Sequence, residues 1–330
     1  MNIKLLTPML AVAFAAVSQA QVVYSNNFDV DTTANWSFFS NITGDTASQA
    51  DLGSAADFFF DYSTVGISAA PGSGSTTLGL RMQTNMRNTP NPNGALYGMS
   101  VSPLGVNVTG DYNLEFDAWQ NFNGPLGAGG SGSTHVTLAG IGVSGTTNST
   151  PAVNILGTAF GSTGDGGSSV DYRAYNGTGV TAATSTGYYA SGIAAGSNNS
   201  SNAFWTGIYP GAAAPAAQLG LFPGQTGTTS AGAMGFGWRH WNIVKVGTTV
   251  NWIVDGVTFA TVTSAATPNG NIFFGQSDIN AGASTDINSD ALQFGLIDNV
   301  VVTQAVPEPA TMTILAGAAA LAALKRRKKN

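Results

Sequence analysis

Thr249-Val250-Asn251-Trp252-Ile253-Val254-Asp255-Gly256-Val257-Thr258-Phe259-Ala260-Thr261-Val262 decides the fold class. Two runs rich in β-branched and aromatic residues flank a two-residue Asp-Gly connection. That dipeptide accepts the positive φ angles of a type I′ turn, so the stretch predicts an antiparallel β-hairpin. Working outward, Phe236 to Val246 reads as the strand before it, and Ile272 to Phe274 and Leu292 to Thr303 as strands after it. Asp111 to Phe122 alternates cleanly, with Tyr112, Leu114, Phe116 and Ala118 on one face and Asn113, Glu115 and Asp117 on the other. A period of two with one apolar face is the pattern of a half-buried antiparallel strand, which predicts a solvent-facing acidic row.

The N-terminal half repeats the theme. Val22 to Asp29, Trp36 to Phe39, Ala56 to Tyr62, Thr77 to Met82, Ala95 to Val101 and His135 to Val143 are further strand candidates. Ser68 to Ser75 is a Gly/Pro/Ser loop of the kind that joins sheets, and Gly124 to Ser133 a flexible linker. Gly145 to Ala203 carries only short apolar pieces among Gly, Ser, Thr and Asn, and predicts long surface loop with minor strands. One short helix near Ala212 to Ala217 is the most the sequence offers, so a parallel βαβ sheet is not expected. The fold class is all-β: an antiparallel β-sandwich over residues 21–304. Trp241 to Val246, the Asp255-Gly256 hairpin, the closing Ile297-Asp298-Asn299-Val300 strand and the opening Phe28-Asp29 strand together resemble concanavalin A-like jelly rolls of the laminin-G and legume-lectin type. Another double-sheet sandwich is the alternative.

There is no cysteine, so disulfides, a thiol nucleophile and cysteine metal sites are excluded and stability rests on burial. Between Gln21 and Ala305 stand five cations against fifteen Asp and Glu115, a net charge of −11. Nucleic acid is not an expected partner of such a body, because phosphate binding needs clustered Lys and Arg.

The termini carry a different message. Lys4, the apolar stretch Leu5 to Val17 and Ser18-Gln19-Ala20 have the order of a signal peptide over residues 1–20, with cleavage between Ala20 and Gln21. At the other end stand Pro307-Glu308-Pro309, an uncharged apolar stretch from Ala310 to Leu324, and the basic run Lys325-Arg326-Arg327-Lys328-Lys329. Fifteen helical residues reach about 22 Å, short of a ~30 Å hydrocarbon core unless the flanking cations snorkel or the bilayer thins. The basic run is expected to stay cytoplasmic, leaving everything before the span outside. This order of parts over 305–330 resembles the PEP-CTERM sorting signal of Gram-negative exported proteins. The resemblance implies recognition by an exosortase, cleavage near the tripeptide, and delivery to the cell surface or an extracellular matrix, often alongside exopolysaccharide.

The body offers little catalytic chemistry. Glu115 and Asp117 lie two apart on one strand, as retaining glycosidases of this fold place their carboxylates, yet position 120 is Gln120 and no second Glu occurs in the body. His135 and His240 are the only histidines, with no zinc spacing around them and no nucleophile elbow. Calcium suits an oxygen-rich chain better. Asp29, Asp31 and Asp298 would approach one another if the terminal strands pair, and Asp278-Ile279-Asn280 through Asp286, Asn288 and Asp290 is a second candidate. Trp119, Trp205, Tyr188, Tyr189 and Tyr209 are candidate sugar platforms. The sequence thus predicts a non-enzymatic surface protein. Its alternatives are a lectin-like polysaccharide-binding module assisted by Ca²⁺ and, third, a glycoside hydrolase-like protein.

Overall fold

The computed structural model describes residues 20–42, 53–86, 96–124, 134–177, 188–190, 198–263, 265, 269–279 and 288–305. The chain separates into two units, residues 22–304 and a second made of 1–21 with 305–330. The expected signal-peptide core, the tripeptide, the membrane span and the basic run lie outside the described residues. Among the described residues no helix is long and apolar enough to cross a membrane.

In chain order the strands are β1 Ala20–Asn26, β2 Trp36–Ser40, β3 Ser54–Asp61, β4 Leu78–Thr84, β5 Gly98–Pro103, β6 Tyr112–Asn121 and β7 His135–Val143. They continue with β8 Thr158–Ser162, β9 Tyr172–Asn176, β10 Arg239–Val246, β11 Thr249–Val254, β12 Val257–Val262, β13 Asn271–Asp278 and β14 Phe294–Ala305. One sheet has the order β12-β11-β10-β6-β14-β4-β3, with β1 also pairing β14; the other runs β2-β5-β13-β7-β8-β9. Every pairing whose register is described is antiparallel. The result is the antiparallel double-sheet sandwich expected from the sequence, with a jelly roll's repeated crossings from sheet to sheet. The deciding hairpin forms as read: Asp255 and Gly256 take φ of 50° and 79°, and Val254 pairs Val257 across them.

Between the sheets, aromatic pairs join the two layers. Trp36 on β2 stacks on Phe58 of β3 at 5.4 Å, Phe116 on β6 meets Phe274 of β13 edge-on at 5.0 Å, and Phe160 on β8 stacks on Trp252 of β11 at 5.4 Å. Each such contact adds about 0.5–1.5 kcal/mol beyond the burial of its rings.

Three expectations change. The described part of residues 145–203 lies less on the surface than expected: of its two short strands, β8 is fully buried and β9 buried at three of five residues, and both extend the second sheet. A glycine weakens the sequence signal of β8, but Gly161 is needed there because a Cβ would strike Leu138. The outer face of the first sheet is only partly left to solvent. Residues 198–238, with the short helices α1 Ala203–Thr206 and α2 Ala216–Leu221, cover Trp119, Phe294 and Leu296 there. Gln218 pins α2 by donating to Val65 O at 3.0 Å and Asn121 Oδ1 at 3.1 Å. Phe28-Asp29, expected to continue the opening strand, leaves it: β1 ends at Asn26 and Phe28 adopts φ 54°.

Candidate functional site

A cleft of about 720 Å³ opens where β1 and the loop after it face the closing strand β14. Its walls are Tyr24 to Asn27, Val30, Thr32, Asn35, Leu104 and the segment Asn299 to Val301. Two left-handed residues fix its walls. Phe28 holds φ 54° because its ring is fully buried beside Trp36, 5.8 Å between centroids. A bulky residue in that region costs about 1–2 kcal/mol, less than full burial of a phenyl ring returns. Opposite, β14 bulges between Asp298 and Val301, and Asn299 takes φ 53°. Its Nδ2 donates to Pro71 O at 3.0 Å, Ser73 Oγ at 3.1 Å and Asp117 Oδ2 at 2.8 Å.

The loop is tied internally as well. Asn26 Oδ1 accepts from Phe28 N at 2.8 Å while its Nδ2 donates to Thr32 Oγ1 at 3.0 Å. Tyr24 packs edge-on to Trp36 at 6.1 Å, and burial pushes its hydroxyl up to about 12. The Asn35 side chain and Asn299 Oδ1 have no hydrogen-bond partner among the described residues. Val30 and Leu104, 64% and 57% exposed, stand at the rim.

Behind the bulge runs a polar seam on the outer face of the first sheet. Asp298 is buried and accepts from Ser73 Oγ at 2.8 Å, Tyr62 Oη at 3.1 Å and Asn299 N at 2.7 Å. Burial raises its carboxyl to about 6, and the hydrogen bonds only partly offset this. Asp117 pairs across the ladder with Asp298 and is itself buried, contrary to the expected solvent-facing acidic row. The reason is local: Asn299 binds its Oδ2, and His240 Nδ1 stands 3.0 Å from its Oδ1. The seam ends at the hairpin turn, where Asp255 accepts from His240 N at 2.9 Å and Tyr209 Oη at 3.1 Å, with Arg239 at 3.7 Å.

This arrangement holds a histidine oriented by a carboxylate, which is two parts of a nucleophile-activating relay. Among the described residues no hydroxyl is hydrogen-bonded to His240 Nε2, so the third part of a relay is not formed by them. Glu115 accepts from Asn113 Nδ2 at 2.5 Å, so it and Asp117 are separately engaged rather than facing one reaction space. Asp29, Asp31 and Asp298 do not form a metal-holding group, although the terminal strands do pair. Asp31 turns back on Thr33 N and Oγ1, Asp29 is held by Asn27 Nδ2, and Asp298 serves Tyr62 and Ser73. In the second acidic stretch Asp278 is buried and bound by Asn85 Nδ2, and Asp286 lies outside the described residues. The aromatic platforms fare similarly: Trp119, Trp205, Tyr189 and Tyr209 are buried. Ala20 and Gln21 are exposed at the start of β1. The sequence reading missed the cleft, whose walls come from residues 24–35, 104 and 299–301.

Residues 305–329 match the PEP-CTERM protein-sorting motif. No curated relative matches the chain. Solved structures similar to it include a protein of unknown function with galectin-like fold from Bacillus subtilis, at 8% identity over 88% of this chain and all of that one, TM-score 0.37. The Ca²⁺-bound VIP36 exoplasmic/lumenal domain is 8% identical over 86% of this chain and 89% of its own, TM-score 0.37. The alginate lyase from Corynebacterium sp. is 10% identical over 68% and 77%, TM-score 0.35. At this level of similarity they say nothing of what the chain binds.

Proposed function

We propose that the chain is an exported bacterial surface or extracellular-matrix protein whose C-terminal signal is processed by an exosortase. The observation that carries this is the PEP-CTERM match over residues 305–329. In this reading the general secretion machinery exports the chain and signal peptidase cuts between Ala20 and Gln21. The span 310–324 holds the body outside the inner membrane, with Lys325, Arg326, Arg327, Lys328 and Lys329 on the cytoplasmic side. Pro307, Glu308 and Pro309 then direct cleavage. The sandwich is non-enzymatic cargo, and matrix exopolysaccharide is its partner.

The engaged state of Glu115 and Asp117 supports the non-enzymatic half of the reading over a glycoside hydrolase-like one. Calcium gains no support from Asp29, Asp31 and Asp298, whose oxygens serve three separate networks. Replacement of Pro307-Glu308-Pro309 by alanines tests the sorting reading. The variant accumulates uncleaved in the membrane fraction, whereas release at the rate of the parent protein leaves a plain tail anchor in its place. Sugar release from polysaccharides that disappears on Glu115→Gln would overturn the non-enzymatic reading.

A further inference from the structure

We propose that the cleft between the Tyr24–Asn35 loop and the β14 bulge binds an uncharged oligosaccharide segment. The inference rests on the polysaccharide-partner part of the reading above and adds the site and the class of sugar.

Shape comes first. A cleft of about 720 Å³ lies within the ~300–1,000 Å³ range of small-ligand sites. Its walls are set before any ligand arrives, because Phe28 is locked by its buried ring and Asn299 by an Nδ2 whose two protons are shared among Pro71 O, Ser73 Oγ and Asp117 Oδ2. A preformed site avoids the ordering cost that weakens binding by mobile loops.

Chemistry narrows the occupant. None of the lining side chains is charged, and the net charge of −11 over residues 21–305 disfavours approach of a uronate, sulfate or phosphate polymer. What the cleft offers is amide and hydroxyl: Asn35, Asn299 Oδ1, Ser25 and Thr32, while the Asn27 amide is taken up by Asp29. The Asn35 amide and Asn299 Oδ1 carry no described partner, so they are free to exchange water for ligand hydroxyls. Val30 and Leu104 supply exposed apolar surface at the rim. A neutral pyranose presents that combination, hydroxyls around its edge and C–H groups on its faces. A purely apolar ligand would strand the amides, at the cost of burying unpaired polar groups.

Binding of neutral gluco-, galacto- and manno-oligosaccharides and of oligouronates to the full-length protein, purified in detergent, tests this by titration calorimetry. Three variants accompany it: Asn35→Ala, Val30→Asp at the rim, and Val246→Asp, an equally exposed apolar position away from the cleft. A neutral series is expected to bind, with affinity falling about tenfold in Asn35→Ala, the loss of roughly one good hydrogen bond, and at least as much in Val30→Asp. Val246→Asp should bind as the parent does, and the melting temperatures of all three variants should match it. Neutral binding unchanged by both Asn35→Ala and Val30→Asp overturns the site while leaving the polysaccharide partner standing. Preference for oligouronates overturns the class. Absence of binding to either series overturns both the site and the polysaccharide partner, and leaves exosortase processing, read by release, untouched.

Discussion

Asp165→Asn should stabilise the protein above pH 6 and change little near pH 4. Asp165 is 3% exposed, at the turn after β8. Burial raises its carboxyl from 3.8 to about 6, the nearby charge of Asp171 adds to the rise, and hydrogen bonds from Gly167 N, Thr134 and Thr163 oppose it. The native state thus holds a proton to higher pH than the unfolded chain. Between about pH 4 and pH 6 the native state binds more protons, so stability falls as pH rises through that window and stays low above it. A carboxyl moved from 3.8 to about 6 corresponds to about 3 kcal/mol. Asparagine is isosteric, cannot ionise and keeps an oxygen for the Gly167 N–H bond at 2.9 Å. It gives up the charge-assisted part of the opposing bonds, which leaves a net gain of about 2 kcal/mol at pH 8. Urea unfolding followed by tryptophan fluorescence at pH 8, 6 and 4.5 reads this directly. The parent should gain stability on acidification, and the variant should lose that part of the slope. A variant destabilised by more than 1 kcal/mol at pH 8 would refute the reasoning. It would mean that the ionised carboxylate is an anchor for Gly167 and the threonines rather than a burial penalty.

Two glycines of positive φ should respond differently to alanine. Gly256, at φ 79° with open space where a Cβ would sit, should cost only the backbone penalty, about 1–2 kcal/mol, in chemical denaturation. Gly66, at φ 74° with Gln218 N 2.3 Å from the added Cβ, should add about 1–3 kcal/mol of overpacking; equal losses at both sites would refute the contact with α2. EDTA should leave the melting temperature unchanged, since the Asp29, Asp31 and Asp298 oxygens are engaged in three separate networks; a fall of several degrees would mean that a cation stabilises the fold through other ligands.

The strands were legible where one face is apolar and the turn chemistry is local. The Asp255-Gly256 hairpin and the alternation in Tyr112–Asn121 needed no information from elsewhere in the chain, since period and turn residue alone set them. β8 is the strand whose signal is weakest, because it is five residues long and has a glycine near its end. Gly161 stands where packing against Leu138 and Val136 leaves no room for a side chain, and in sequence a glycine between Ala-Phe and Ser reads as loop composition.

Asp117 and Phe28 mark the limit of pattern reading. Alternation assigns Asp117 to the outer face, and that is where it lies; nothing in the period says that Asn299, some 180 residues later, closes over it. The run Val22 to Asp29 reads as one strand, and the jelly-roll resemblance places Phe28 in it. The Phe28 ring is instead buried against Trp36, and that burial holds a left-handed residue that turns the chain away from β1. The cleft depends on this departure and on the bulge in β14, two irregularities far apart in sequence that face each other once β1 pairs β14. A regular strand at either place would have carried its side chains past the other wall. The cleft therefore arises where two local rules yield to tertiary packing, which is where the sequence pattern has least purchase and where binding surfaces are commonly built.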